Sequence, residues 1–354
     1  MSKETAEWLN RMTLIGHTAK RGTAWHYREE LQGDRPNHFP GAIPRERVLE
    51  LIGWEPLRGE VTATAINEEG VLTVSDPSTV AIMRPAGTLG TDDVGGVLGY
   101  TSPKYQEHGY KQWLVENLEM ILDGGLSIGS AGMLRAGALA WVQAELEDTV
   151  TAGGTGVTFR PFLTAATSLD QSIKTTYQTG AQVVVCDNTL NAAMNERGAA
   201  RVKIRHSARS LGRIAELRDS LQIVQTVSDE FTAQVEKLCA TEFSNRHWNR
   251  FLDIFTHRCD IFGEDLELKG AALTKATKLR SEVAALYLHD ERVAPWAGTA
   301  FGAVQAVNTY YHHLQPAQKG TDRAARNMER MVKGEWAEID SDVVETVKFL
   351  IDSM

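Results

Sequence analysis

The sequence predicts an α+β protein with a largely antiparallel sheet and packed helices in its N-terminal part and an all-helical C-terminal part. Between residues 58 and 207, short apolar or alternating runs are separated by turn residues, a pattern typical of strands. After Ser207, apolar residues recur every three or four positions, which is the period of a helix. The predicted regions are an N-terminal arm with short helices (1–57), an α+β core domain (58–207) and a helical C-terminal region (208–354).

The predicted strands follow from alternation and from turn chemistry. Residues 61–66 and 71–74 flank the turn signal Asn67-Glu68-Glu69-Gly70 and are expected to form a hairpin. A helical period over residues 107–122 interrupts the strands. The further strand candidates are 80–84, 97–100, 127–134, 138–146, 157–165, 173–177, 183–186 and 201–206.

The stretch 183–207 links the sheet to the strongest charge signal. Asp187 or Asn188 is suited to cap a short helix over residues 189–194, because their side chains accept hydrogen bonds from a helix N-terminus. The following strand places Arg201, Lys203 and Arg205 on one face, since successive strand residues point to opposite sides. A row of cations on a rigid strand is therefore expected.

The helical region is predicted from apolar spacing. An apolar heptad pattern covers residues 214–238, where packing within the chain is favoured over a subunit interface because more helices follow. The later helices are expected at 245–259, 264–289, 297–314 and 343–351, with a linker at 315–321.

Composition indicates a soluble globular protein. The 354 residues are 42% hydrophobic, and no apolar run has the length of a membrane span. Three widely spaced cysteines and an N-terminus unlike a signal peptide favour a cytoplasmic protein without disulfides. The net charge of −9 argues against a surface coated with cations for duplex DNA, although a local basic groove is compatible with it.

No familiar catalytic or metal-binding motif is present in the sequence. It has no phosphate-binding loop, nucleophile elbow or dinucleotide fingerprint, and its histidines and cysteines lack metal-ligand spacing. We therefore expect no cofactor and no metal, and the sequence favours a protein without catalytic activity over an enzyme. The remaining enzyme hypothesis is Cys186 as a nucleophile, with His206 as its base and Asn188 beside it.

A basic segment carries the main functional prediction. Residues 197–218 contain seven basic side chains and one acidic side chain. Phosphate chains favour such clusters because binding releases condensed counterions, and aromatic rings can stack on unpaired bases. The alternative is a structural role, in which these cations pair with the chain's many carboxylates. The predicted nucleic-acid-binding residues are Arg201, Lys203, Arg205, Arg209, Lys174, Arg160, Arg135 and Tyr177, with Phe159 as a second aromatic.

Several segments carry a resemblance to a known family, the most specific being 183–190 and 203–207. Others are 23–26, 97–100, 159–166 and 300–310. On these residues the chain resembles the phage/plasmid-like proteins grouped as domain-of-unknown-function family 932. The resemblance implies a phage, prophage or plasmid origin and hence the host cytoplasm, but no established activity. A remote likeness to Rad52-like single-strand annealing proteins concerns fold alone.

Two functional hypotheses follow beside the enzyme hypothesis. The first is a phage-encoded, homo-oligomeric protein that binds single-stranded nucleic acid, DNA or RNA, and assists annealing or recombination. The second is a non-catalytic interaction module that binds a host or phage protein through the helical region. No membrane association is expected in either case.

Overall fold

Two antiparallel sheets and a set of helices form the protein. The computed structural model describes residues 11–16, 37–68, 70–122, 127–145, 149–183, 189–191, 201–207, 223–262, 264–316 and 323–353. The strands are β1 (Thr13–Ile15), β2 (Leu57–Asn67), β3 (Gly70–Arg84), β4 (Gly96–Thr101), β5 (Ile128–Leu134), β6 (Leu139–Glu145), β7 (Val150–Thr151), β8 (Thr158–Ser168), β9 (Thr175–Val183), β10 (Thr189–Asn191) and β11 (Arg201–Ile204).

The helices lie between the two sheets in sequence and throughout the C-terminal region. The α-helices are α1 (Arg45–Ile52), α2 (Asn117–Ile121), α3 (Ile223–Ala240), α4 (Asn245–Phe255), α5 (Gly270–His289), α6 (Ala300–Thr309), α7 (Arg323–Lys333) and α8 (Glu335–Ser353). A π-helical turn, Lys111–Glu116, runs directly into α2, and a second one, Tyr310–Leu314, follows α6. None of these helices combines the length and the apolar character needed to cross a bilayer.

The larger sheet has the strand order β1-β5-β6-β8-β9-β10. β11 also pairs with β9, and β7 pairs with β8. The smaller sheet has the order β2-β3-β4. Every strand pair in both sheets is antiparallel. The prediction of an α+β protein with a largely antiparallel sheet and a helical C-terminal region is confirmed.

Both faces of the larger sheet are buried along β5, β6 and β8. On one face, Leu163, Ala165 and Tyr177 share an apolar cluster with the π-helical turn before α2 and with α1. On the other face, Trp141 packs with Trp336 and other residues of α7 and α8. Because water is excluded from both faces, the sheet is rigid enough to hold side chains at its edges in fixed positions.

The heptad pattern buries its apolar side chains within the chain. Phe231, Val235 and Leu238 on α3 join a cluster with Phe159 of β8 and with the helices that follow. The rings of Phe159 and Phe231 meet edge to face, with centroids 4.4 Å apart. For the described part of the pattern, the preference for packing within the chain is confirmed, and the sheet and the helical region share this core.

Two local predictions need correction. Residues Thr189–Asn191 form strand β10, although a helix was expected there. The exposed edge of β9 offers hydrogen-bond partners to this segment, and pairing outweighs the weak helical preference of so few residues. Helix α7 begins at Arg323, directly after the predicted linker, and no helix was expected over its residues.

Candidate nucleic-acid interface

Strand β11 presents cations at the edge of the larger sheet. Ile204 is fully buried and Val202 packs on the same core, whereas Lys203 and Arg205 are exposed. The alternation predicted for this strand is therefore confirmed for these four residues. Arg201 begins the strand opposite Gln178 of β9, and Arg209 lies outside the described residues.

Two further lysines lie beside this strand end. Ile204 is in register with Thr175, so the exposed Lys174 and Arg205 flank the same end of the β9–β11 pair. Exposed Lys104 precedes Tyr105, whose hydroxyl contacts the residue after Arg205. We call this set of four exposed cations the basic corner: Lys104, Lys174, Lys203 and Arg205. Lys203 and Arg205 also have polar interactions within the chain.

Two carboxylates near the basic corner are already neutralised by other arginines. Glu107 forms an ion pair with Arg58, and Asp170 forms one with Arg135 at 3.0 Å. Burial would raise the pKa of Asp170, but hydrogen bonds from Ser172 and Arg135 hold it below its ordinary value. These acids consequently do little to cancel the positive charge of the corner.

Arg135 and Arg160 are held in ion pairs, which argues against their predicted role as phosphate contacts. Arg135 bridges Asp170 and Glu329 of α7. Arg160 is buried and donates from Nη1 to the equally buried Glu145 at 3.1 Å. A phosphate could reach Arg160 only if this buried pair were broken, which costs several kcal/mol. For these two residues the structure supports the alternative of a structural role, because both pair with carboxylates.

The two predicted stacking aromatics belong to the core, and a different tyrosine is exposed. Tyr177 is fully buried and its hydroxyl donates to the carbonyl of Trp113 at 2.6 Å, while Phe159 is also fully buried. Neither ring has a face that a base could reach, so the expected stacking role of Tyr177 is corrected. Tyr100 on β4 is 60% exposed, and its carbonyl accepts a hydrogen bond from Gln171, three residues before Lys174.

A hydrogen-bonded cluster of imidazoles and hydroxyls lies next to the basic corner, because Tyr105, Thr175 and His206 directly follow Lys104, Lys174 and Arg205 in the chain. The ring of His206 lies over that of His108 at 4.0 Å between centroids, and His108 stacks on Trp113 at 3.6 Å. The Tyr105 hydroxyl hydrogen-bonds Nδ1 of His206. Two hydroxyls, those of Thr167 and Thr175, each lie 3.1 Å from Nε2 of His206. We call these residues the imidazole cluster: Tyr105, His108, Thr167, Thr175 and His206.

Burial keeps the imidazole cluster uncharged. It lowers the pKa of His206 to about 4, and burial together with the nearby His206 lowers the pKa of His108 to about 3. Burial, and then the charges of Glu107 and Asp170, raise the pKa of Tyr105. At neutral pH the cluster is thus a set of neutral hydrogen-bonding groups that fixes the chain segment after β11 against the loop that carries Lys104.

The cluster does not have the composition of a metal centre. Within the described ranges, no group of three or more histidine, cysteine or carboxylate side chains is placed to hold a metal ion. Cys186 and Asn188, the other members of the enzyme hypothesis, lie outside the described residues. That hypothesis stays a prediction, and His206 alone shows the environment of a structural imidazole bonded to hydroxyl groups.

A known family model matches most of the region that contains the basic corner. Residues 97–332 match the model of DUF932, a domain of unknown function, and this range exceeds half of the 354 residues. The chain belongs to the DUF932 family. The matched range of this DUF932 protein begins in β4 and includes every residue of the basic corner, whereas β2 and β3 precede it. No curated protein and no solved structure matches the chain.

The main additions to the site relative to the sequence prediction are Tyr100, Lys104, Tyr105 and His108. All four precede the basic segment by about a hundred residues, and sequence spacing gave no reason to join them to it. The contact between Tyr105 and His206 spans 101 positions and joins the loop after β4 of the smaller sheet to the end of β11 in the larger sheet.

Proposed function

We propose that this DUF932 protein binds single-stranded nucleic acid at the basic corner. The observation that supports the proposal is the grouping of four exposed cations beside carboxylates already paired with Arg58 and Arg135. Each phosphate that a cation neutralises releases condensed counterions, which drives association at low salt. The basic segment 197–218 includes Lys203 and Arg205 of the corner, and five further arginines adjoin them in sequence.

The exposed ring of Tyr100 favours a single strand over a duplex. Base stacking on an aromatic ring contributes about 1–3 kcal/mol per base, and a base is free to stack only when it is unpaired. Tyr100 lies next to the turn that precedes Lys174, because Gln171 of that turn donates a hydrogen bond to the Tyr100 carbonyl. A strand whose phosphates contact Lys174 can place a base on this ring. A phage, prophage or plasmid origin and a role in annealing or recombination are the biological context that we propose for this activity.

Fluorescence anisotropy with short labelled oligonucleotides tests the proposal. Wild-type protein is titrated into single-stranded DNA, single-stranded RNA and duplex DNA at low and moderate salt. The test variant carries Lys174→Glu, Lys203→Glu and Arg205→Glu. The matched control carries the same charge change at exposed lysines before and within α5. These control positions are Lys269, Lys275 and Lys278.

We expect tight binding of single strands at low salt, weaker binding of duplex, and at least a tenfold loss of affinity in the corner variant. We expect the α5 control to lose much less affinity for single strands than the corner variant does. If wild type does not bind single strands at low salt, or if both variants lose affinity equally, the corner is not a nucleic-acid site. The comparison of DNA with RNA decides which polymer is preferred.

A second candidate function is the interaction module in the helical region. Phe262 in the loop between α4 and α5 is 84% exposed, and Ile261 and Leu266 beside it are also exposed. A small apolar patch of this kind can contact another protein. A partner captured after nuclease treatment that is lost on Phe262→Ser would favour this alternative.

A further inference from the structure

The hairpin formed by β2 and β3 is exposed over most of its length. We call residues 57–79 the hairpin arm. Every residue of the arm whose burial is described is exposed or half-exposed, from Leu57 to Thr79. β4 pairs with β3 only from Val80 to Arg84, so among the described strands the outer part of the arm pairs only with itself. An isolated two-stranded hairpin is marginally stable in water, which makes an uncovered arm of this length costly.

One face of the hairpin arm is apolar apart from Asp76, which lies in register with Val61. The register pairs Ala65 with Leu72 and Ala63 with Val74, and alternation puts Val61 on the same face. Leu72 remains 63% exposed and Val74 54% exposed. The opposite face carries threonine and serine in its middle, where Thr64 and Thr73 hydroxyls lie 3.2 Å apart, and the exposed pair Ile66 and Val71 near the turn. Antiparallel sheets commonly pack one face on another element, so the exposed apolar side chains of the arm are expected to have a packing partner.

The arm is acidic. Residues 57–79 have four acidic side chains (Glu60, Glu68, Glu69 and Asp76) and one basic side chain, Arg58, which is paired with Glu107 at the root. Two arms packed on each other would bring like charges together, which disfavours a symmetric arm-to-arm contact. A surface that carries positive charge is a better partner, and the described part of the chain provides one in the basic corner.

The arm does not cover its own corner. At its root, Arg58 donates to the carbonyls of Pro103 and Tyr105, each at 3.0 Å, and pairs with Glu107. The arm therefore starts beside the loop that carries Lys104 and still leaves its apolar face exposed. The exposed face that carries Leu72 and Val74 is therefore accessible to another molecule.

We propose that the hairpin arm of one copy docks on the basic corner of a second copy. The contact joins two different surfaces, so copies that dock their arm on one neighbour and offer their corner to another form a ring or a filament, whereas two copies that exchange arms close as a dimer. Both edges of the outer arm carry backbone groups that can pair with a neighbouring strand, and β11 is an edge strand among the described strands. The arm has about the number of residues that a standard interface uses on each side. Assembly does not depend on nucleic-acid binding, although both use the same cations.

Mixing two complementary variants of the full-length chain tests this contact. The arm variant carries Leu72→Lys and Val74→Lys, and the corner variant carries Lys174→Glu, Lys203→Glu and Arg205→Glu. A control carries Thr64→Lys and Thr73→Lys, which makes the same charge change on the opposite face of the arm. Mass is measured by light scattering after size exclusion, and thermal unfolding confirms that each variant is folded.

The proposal expects wild type to form oligomers that dissociate with salt. It expects the arm variant and the corner variant each to be monomeric alone, and their equimolar mixture to give a heterodimer, because each supplies the surface that the other has lost. The control should remain oligomeric. A monomeric wild type, an oligomeric corner variant or a mixture that stays monomeric would overturn the contact. Single-strand binding by the arm variant separates this result from the proposed function.

Discussion

The imidazole cluster makes stability fall in mildly acidic solution, and replacing either histidine should remove part of that fall. In the folded chain the pKa of His206 is about 4 and that of His108 about 3, whereas an unfolded histidine titrates near 6.5. Between these values the unfolded state binds more protons than the folded state. The free energy of unfolding therefore decreases as pH falls from 6.5 toward 4, and then levels off for His206.

The size of the effect follows from the same pKa values. At pH 5 an unfolded histidine is almost fully protonated and each folded one is almost neutral, so each imidazole lowers the free energy of unfolding by about 2 kcal/mol relative to pH 7.5. His206→Gln and His108→Gln should each reduce the difference between the two pH values by about 2 kcal/mol.

Urea unfolding followed by circular dichroism at both pH values measures this difference. His289→Gln on the exposed surface of α5 is the matched control and should keep the wild-type difference. Carboxylates elsewhere contribute equally to wild type and variants, so they cancel in the comparison. If His206→Gln and His108→Gln show the same pH dependence as wild type, the imidazoles are not held neutral by burial.

Three further predictions concern the core and the interface. Glu145→Gln leaves the buried Arg160 charge without its partner, and the free energy of unfolding should drop by about 3 kcal/mol or more in urea melts. Gly132→Ala should cost about 1–3 kcal/mol, because an added Cβ would lie 2.4 Å from a ring carbon of Trp141. Tyr100→Ala should weaken single-strand binding by about 1–3 kcal/mol in anisotropy titrations while duplex binding changes little.

Each of these predictions has a matched comparison. Glu282→Gln breaks the solvent-exposed ion pair with Lys278 and should cost less than about 1 kcal/mol. Gly41→Ala places a Cβ where no atom lies within 4 Å and should be nearly neutral. An equal loss from Glu282→Gln and Glu145→Gln, or from Gly41→Ala and Gly132→Ala, would contradict the packing described above. An equal effect of Tyr100→Ala on single strands and duplex would contradict base stacking.

Periodicity was sufficient to predict most of the fold. The hairpin around Gly70, the strand at 201–204 and the apolar stripe through Phe231 all follow from side-chain spacing, which the backbone geometry dictates. β10 was missed because a free strand edge, a property of the tertiary structure, decides how Thr189–Asn191 pair. The hairpin prediction identified both strands, but their exposure depends on what packs around them.

The site was less predictable because charge and aromaticity do not reveal burial. Arg160 and Lys203 are both cations on strands, yet one is buried against Glu145 and the other is exposed. Tyr177 is near the cations in sequence, yet it lies in the core. The position of Tyr100 relative to the corner depends on how β4 packs beside the turn at Gln171, which sequence spacing does not reveal.

The salt dependence of single-strand binding tests the basic corner most directly. Each phosphate contact contributes about −0.7 to the slope of log K against log salt for a single strand. Replacing Lys174, Lys203 and Arg205 by glutamine removes three cations without adding repulsion. We predict a slope less steep than that of wild type by about 2, with the glutamine control at Lys269, Lys275 and Lys278 unchanged. Equal slopes for wild type and the variant with glutamine at Lys174, Lys203 and Arg205 would show that these cations do not contact phosphate.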